Sequence, residues 1–250
     1  MLKLKMDKMK VFLITSNIYT HVCPTSLKFL KRYWPEAQVT VLGYEKLRES
    51  SHHLDGVETV FLGEQDSFGR SWSSALIPYF KTVKDETFVV LVEDLILMNR
   101  VDHSKIKVLN EKIISGKAKK AVIGGGIPLD KTSLWEDDLL VFNENIDYRC
   151  TLHPSIWNKE YFTKFLKEGH TIWDFEVSNN ELAKNDGEKI IALNYRYPET
   201  MHLFSSLNLY SRRELTINKE GNILDNQPSF KFFKTEDIQE IWESINEAKK

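Results

Sequence analysis

The sequence predicts an α/β protein: an open, mostly parallel central sheet with helices on both faces and a mixed or antiparallel extension in the C-terminal half. Two observations point there. Strand-like and helix-like segments alternate through the first half of the chain, the pattern of a sheet built by crossover connections. One strand-like run, Phe88 to Val92, is apolar without a break, as a strand covered on both faces must be.

The elements follow in order. Lys10 to Thr15 is a β-branched and aromatic run that stops at Ser16-Asn17, preceded by a lysine and methionine lead-in. Ser26 to Trp34 places Leu27, Leu30, Tyr33 and Trp34 at helical spacing. Gln38 to Leu42 and Thr59 to Leu62 read as strands, closed by Gly43 and Gly63. Ser71 to Val83 reads as a helix that Pro78 should kink or shift. Asp102 to Ile114 repeats the helical pattern, ends at Gly116 and hands over to a strand at Lys120 to Ile123. Leu139 to Asn143, Tyr148 to Leu152 and Lys189 to Leu193 look like further strands, with helices at Asn158 to Lys167 and Trp173 to Ala183. Glu214 to Leu224 resembles a hairpin, and Thr235 can cap a last helix through Ile238, Ile241, Trp242 and Ile245. With no internal repeat and no low-complexity linker, residues 1–250 are expected to form one domain.

Composition removes several classes. At 42% hydrophobic and 28% charged residues the chain can bury a core, which excludes fibrous and disordered proteins. A formal net charge of -2 is far from the basic excess of proteins that coat nucleic acid, so any such contact needs a local patch. The longest apolar candidate, Phe88 to Met98, is split by Glu93 and Asp94 and falls short of the ~20 residues of a membrane span. Cys23 and Cys150 lie far apart without ligand spacing, and the N-terminus lacks signal-peptide order; a cytoplasmic protein is the expectation.

Sheets of this kind bind ligands beyond the carboxyl ends of their strands, which directs attention to the loops there. Glu93 and Asp94 end the apolar strand, and unpaired buried charge is costly, so they should emerge at the sheet edge. A carboxylate pair at that place can hold a divalent cation, manganese or magnesium, that neutralises a diphosphate; the plainer alternative is a cap and an ion pair. Trp173-Asp-Phe-Glu176 sets Asp174 and Glu176 between aromatics. One of these acids can take a proton from an attacking hydroxyl, or both can serve as N-terminal helix charge over a packed Trp173 and Phe175. Thr15, Ser16 and Asn17 offer hydroxyls and an amide where a nucleotide would sit, or form an ordinary capping loop. Ser71 and Trp72, after Gln65, begin a helix whose amides can meet a phosphate, or cap it with Trp72 in the core.

Other chemistries find little support. Gly124-Gly125-Gly126 fails the dinucleotide spacing because position 129 is leucine, and no P-loop is present. The histidines show no zinc-enzyme spacing, and Ser155 lacks nucleophile-elbow glycines. The basic clusters at Lys117 to Lys120 and Arg212-Arg213 sit beside acids and read as solvated faces.

Taken in order, Ile14-Thr-Ser-Asn17, Tyr33-Trp34, Val39-Thr-Val-Leu-Gly-Tyr44, Leu62-Gly-Glu-Gln65, Ser71-Trp-Ser73, Leu91-Val-Glu-Asp94, Val101-Asp102, Pro154-Ser-Ile-Trp157 and Trp173-Asp-Phe-Glu176 resemble the small GT-A-type glycosyltransferase-like proteins of tailed bacteriophages and bacterial polysaccharide clusters. The likeness runs from about Lys10 to about Tyr197. It implies a GT-A-like (Rossmann-like) domain with a nucleotide-sugar-binding half over about 9–123 and an acceptor-side half over about 124–250. It implies a UDP-sugar donor whose diphosphate meets Glu93 and a metal at Asp94, donor contacts from Thr15, Ser16, Asn17, Gln65, Ser71 and Trp72, a base at Asp174 or Glu176, and a late metal ligand at His202. The family's D-x-D motif is Glu93-Asp94-Leu95 here, which leaves Asp94 as the dependable metal-facing carboxylate. The implied acceptor is a hydroxymethylated pyrimidine in phage DNA or a surface glycan; the alternatives from other classes are a non-catalytic binding module on the same fold and, third, a nucleotidyltransferase, which commonly needs a glycine-rich phosphate loop that Thr15-Ser16-Asn17 does not provide.

Overall fold

The computed structural model describes residues 8–50, 54, 56–124, 129–194, 205–211, 214–224 and 233–248. In chain order the first half contains β1 (Lys10–Ile14), α1 (Cys23–Tyr33), β2 (Gln38–Gly43), α2 (Glu45–Ser50), β3 (Glu58–Phe61), α3 (Ser71–Thr82), β4 (Thr87–Val92), β5 (Leu95–Leu97), α4 (His103–Ile114) and β6 (Lys120–Val122). The second half adds β7 (Thr132–Leu134), β8 (Leu140–Phe142), β9 (Ser155–Asn158), α5 (Lys159–Lys164), α6 (Asn180–Ala183) and β10 (Ile190–Ala192). It closes with β11 (Ser206–Asn208), β12 (Tyr210–Ser211), β13 (Glu214–Leu215) and α7 (Thr235–Ala248).

Nine strands form one sheet in the order β3-β2-β1-β4-β9-β6-β10-β8-β7. β1 pairs in parallel with both β2 and β4, β2 with β3, and β10 with β6. β9 runs against β4 and β6 on either side, and β8 against β10 and β7, so the sheet is mostly parallel with two reversed strands.

Side-chain alternation divides the core into two layers. Val11, Leu13, Val41, Val89, Leu91, Ala121, Ile156 and Ile191 face α1 and α4 on one side. Phe12, Ile14, Leu42, Phe88, Val90, Val122, Trp157 and Ile190 face α3 and α5 on the other. A third cluster gathers Phe29 of α1, Ile96, Leu207, Leu209 and Ile217 under Ile238, Ile241 and Ile245 of α7. Arg32 ties α7 down with ion pairs to Asp237 and Glu240, both at 2.8 Å.

Two expectations need correction. Tyr148 to Leu152 is a turn rather than a strand: Tyr148 sits at φ 63°, and the carbonyls of Arg149 and Thr151 are turned to the Lys120 ammonium instead of a neighbouring strand. Trp173 to Ala183 is a π-helical turn over Asp174–Ser178 followed by the short α6 rather than one regular helix. Sequence patterning also missed β9, whose four residues lie between Pro154 and α5. Pro78 lies within α3, which runs on through it. The hairpin expected at 214–224 closes through Ile217 opposite Ile223, with Gly221 at φ 77° in its turn. Among the described residues no helix is long and apolar enough to cross a membrane.

Candidate functional site at the carboxyl edge of the sheet

The parallel strands β1 to β4 end at one edge, and their loops interlock there. The Asn17 amide N–H donates to Gln65 Oε1 at 2.7 Å, and Asn17 Nδ2 donates to Glu45 Oε1 at 2.5 Å. Glu45 Oε2 accepts from the Gln65 N–H at 2.9 Å, and Asn17 Oδ1 from the Lys46 N–H at 3.2 Å. The loops after β1, β2 and β3 are therefore one hydrogen-bonded unit centred on Glu45, whose carboxyl is held below its usual range by its own backbone amide and that of Gln65. Sequence reasoning passed over Glu45; its signal was an acid two residues beyond the glycine that ends β2.

Further along the edge, Asp66 caps α3 by accepting from the amides of Phe68, Arg70 and Ser71, and its own N–H donates to Ser71 Oγ at 3.2 Å. Of the first amides of α3, that of Ser71 goes to this carboxylate, while those of Trp72 and Ser73 go to the Gly69 and His170 carbonyls at 3.2 and 3.1 Å. Trp72 is buried edge-on against Phe175, with ring centroids 5.4 Å apart. Thr15 is buried as well, and its hydroxyl donates to the Ser16 carbonyl at 3.2 Å.

Glu93 and Asp94 occupy the tight turn between β4 and β5, but Glu93 does not emerge at the sheet edge as expected of an unpaired acid: its side chain is buried. Ser26 Oγ donates to the Glu93 carbonyl, and the Leu209 N–H donates to that of Asp94 at 2.8 Å, which fixes the turn. The Glu93 carboxyl is buried; burial and the adjacent Asp94 charge push it well above the usual carboxylate range, against a smaller opposing pull from the Ser16 backbone amide. Asp94 is pushed up to about 6, chiefly by burial and further by the charge of Glu176. Among the described residues no ion pair joins either acid to a base.

The two acids of the 173–176 segment have separate surroundings. Asp174 accepts from the Thr171 N–H at 2.9 Å and from Thr171 Oγ1 at 2.8 Å, while the Asp174 N–H donates back to Thr171 Oγ1 at 3.1 Å. This reciprocal cap holds the Asp174 carboxyl below its usual range. Glu176 instead reaches the end of β4 closely enough for its charge to act on Asp94. Glu176 Oε1 accepts from the Leu152 N–H at 2.5 Å and from Thr151 Oγ1 at 3.2 Å. Among the described residues nothing donates to Oε2. Phe175 is buried, whereas Trp173 stands 71% exposed at the start of the same turn.

The structure thus joins Ser16, Glu93, Asp94 and Glu176 at one place, and Asn17 with Gln65 beside it. Among the described residues no three His, Cys, Asp or Glu side chains lie close enough to ligate a divalent cation, so Asp94 could be at most part of such a cation's shell. His202, the other expected ligand, lies outside the described residues. Ligand oxygens would have to complete such a cation's shell.

No protein-family model and no curated protein sequence matches the chain. Solved structures similar to it include a cytidylyltransferase from Leptospira borgpetersenii, at 12% identity over 80% of this chain and 81% of that one with a TM-score of 0.47. S. aureus TarS 1–349 is similar at 14% identity over 75% of this chain and 59% of that one, TM-score 0.48. A UDP-glucose pyrophosphorylase complexed with UDP-glucose is similar at 9% identity over 96% and 99% of the two chains, also with a TM-score of 0.48.

Proposed function

We propose that the chain is a glycosyltransferase that moves one sugar from a nucleotide-diphosphate sugar, a UDP-sugar in the simplest version, to a hydroxyl acceptor. The observation that carries this reading is the pairing of Asp94 at the end of β4 with Glu176, whose Oε2 is left open while Oε1 is fixed by two donors. The nucleoside end of the donor lies over the linked loops of Asn17, Glu45 and Gln65, and the diphosphate lies toward Asp94. Glu176 Oε2 accepts the acceptor's hydroxyl proton as its oxygen bonds the anomeric carbon and the bond to the diphosphate breaks. One such displacement inverts the anomeric centre. A divalent cation held by Asp94 and diphosphate oxygens would supply the positive charge that an anion needs beside unpaired carboxyl groups.

The exposed indole of Trp173 offers an apolar face to the acceptor. An edge rich in carboxyl groups suits an uncharged glycan better than polyanionic DNA, so a glycan hydroxyl is the favoured acceptor. A hydroxymethylated pyrimidine in phage DNA, which can stack on the same indole once extruded, is the second.

The test begins with a thermal-shift panel of UDP, GDP, CDP, ADP, their common sugars and the nucleoside triphosphates, with and without manganese. A rise in Tm with one nucleotide-sugar family, weakened in Asp94→Asn, supports the donor site. Transfer to glycan or hydroxymethylated oligonucleotide acceptors that falls at least ~100-fold in Glu176→Gln supports the base. Silence across the panel with folded protein sinks the donor assignment and favours a non-catalytic module. Pyrophosphate release from a nucleoside triphosphate would instead make the chain a nucleotidyltransferase.

A further inference from the structure

Lys120, on β6, is fully buried, and no carboxylate forms an ion pair with it among the described residues. Its Nζ donates to the Thr151 carbonyl at 2.6 Å and to the Arg149 carbonyl at 3.1 Å, and lies 4.2 Å from the centre of the Trp157 ring. Apolar packing would fill this space more cheaply than an ammonium, because burying an unpaired charge is costly. The reason for the lysine lies on the far side of the peptide that it grips. The Thr151 C=O and the Leu152 N–H belong to one planar trans peptide unit and point in opposite directions. Lys120 holds the oxygen end at 2.6 Å, and Glu176 Oε1 accepts from the hydrogen end at 2.5 Å. The peptide dipole therefore lies in its favourable sense between an amine donor, whose ammonium form burial brings down to about 7, and a carboxylate acceptor.

We propose that Lys120 is a positioning residue for Glu176: by fixing the Thr151–Leu152 peptide it aims the Leu152 N–H at Oε1 and so presents Oε2 to the substrate hydroxyl. Lys120 touches no substrate and acts only through this peptide. The neighbouring Arg149 is a separate anchor. Its guanidinium donates to the Asn143 carbonyl at 3.1 Å and the Glu188 carbonyl at 2.6 Å, fixing the base of the same turn without reaching Glu176. The inference rests on Glu176 being the base of the proposed transferase, but its structural half does not.

The test is Lys120→Met, an apolar replacement of similar length, with Lys119→Met as the neighbouring control. The structural readout is the Leu152 amide proton, followed by NMR in wild type, Lys120→Met and Glu176→Gln. A short bond to a carboxylate shifts it downfield and slows its exchange. Both variants should move it upfield and speed its exchange at least ~10-fold, and the control should not. In turnover, Lys120→Met should lower kcat ~10–100-fold while the donor KM stays within about twofold, a split that general loss of packing would not produce. If Lys120→Met does not fold, Thr151→Val and Leu152→Pro, which remove the hydroxyl and the N–H that serve Glu176, are measured in its place with the same split expected. A Leu152 amide unchanged in Lys120→Met, or a substitute pair that leaves kcat untouched, overturns the proposal. If the amide moves as expected but Glu176→Gln turns over normally, the relay stands as structure, and both the base assignment and the positioning role fall.

Discussion

Asp94 weakens the fold that carries it. Its carboxyl is pushed up to about 6 by burial, against an ordinary value of 3.8, so the folded protein prefers the protonated form. Below about pH 4 the acid is protonated folded or unfolded and costs nothing. Between 4 and 6 the penalty grows, and above 6 it is complete, at about 2–3 kcal/mol from ~1.4 kcal/mol per pH unit. Asp94→Asn should therefore stabilise the ligand-free protein by up to that amount at pH 7 and by almost nothing at pH 4; urea unfolding at the two pH values measures the difference. Asp174 gives the opposite expectation. As the acid of a reciprocal cap with Thr171, its replacement by alanine should cost about 1 kcal/mol and leave transfer largely intact. The sequence offered both acids as bases, and the spacing Thr171-x-x-Asp174 was the legible sign that one of them is a cap. What separates them is whether the side chain turns toward Thr171 or toward β4, and that depends on a π-turn no local pattern announces.

Among the elements, the helices with one clean apolar stripe were the legible ones. α7 shows Ile238, Ile241 and Ile245 in its sequence, and these are the side chains it buries. Ile241 is fully enclosed, so Ile241→Ala should cost about 2–5 kcal/mol, read from the denaturation midpoint at constant m-value. Of the first-half strands, β1 to β4 and β6 were equally legible because each is a short apolar run between turn residues, whereas β5 was missed. β9 was not. Ser155 to Asn158 is four residues long, and periodicity says nothing of direction or of which strands will flank it. The Tyr148 to Leu152 run misled for a physical reason: its carbonyls bind the buried Lys120 amine, which lies 31 positions from Thr151 and leaves no sign in the local pattern.

For the molecule as a whole, alternation along each strand couples the two core layers through one set of backbones: Phe12 faces one layer and its neighbour Leu13 the other. Phe12→Ala and Leu13→Ala, at about 3–5 and 2–5 kcal/mol respectively, should each shift one common transition. Far-UV circular dichroism and tryptophan fluorescence should report the same midpoint in each variant; separate midpoints would mean that the layers melt independently. The α/β class was readable from alternating segments, whereas the strand order was not, because it is decided by contacts between distant stretches. That order has a consequence during synthesis. β9 fills the slot between β4 and β6, yet its residues follow those of β6 by more than thirty positions. At ~5–20 residues per second the ribosome leaves the β6 edge exposed for roughly 2–7 s, and the β4 edge about twice as long, before their shared partner emerges. Through that interval the nascent chain carries an open seam at the centre of its future sheet, available to other chains and to chaperones.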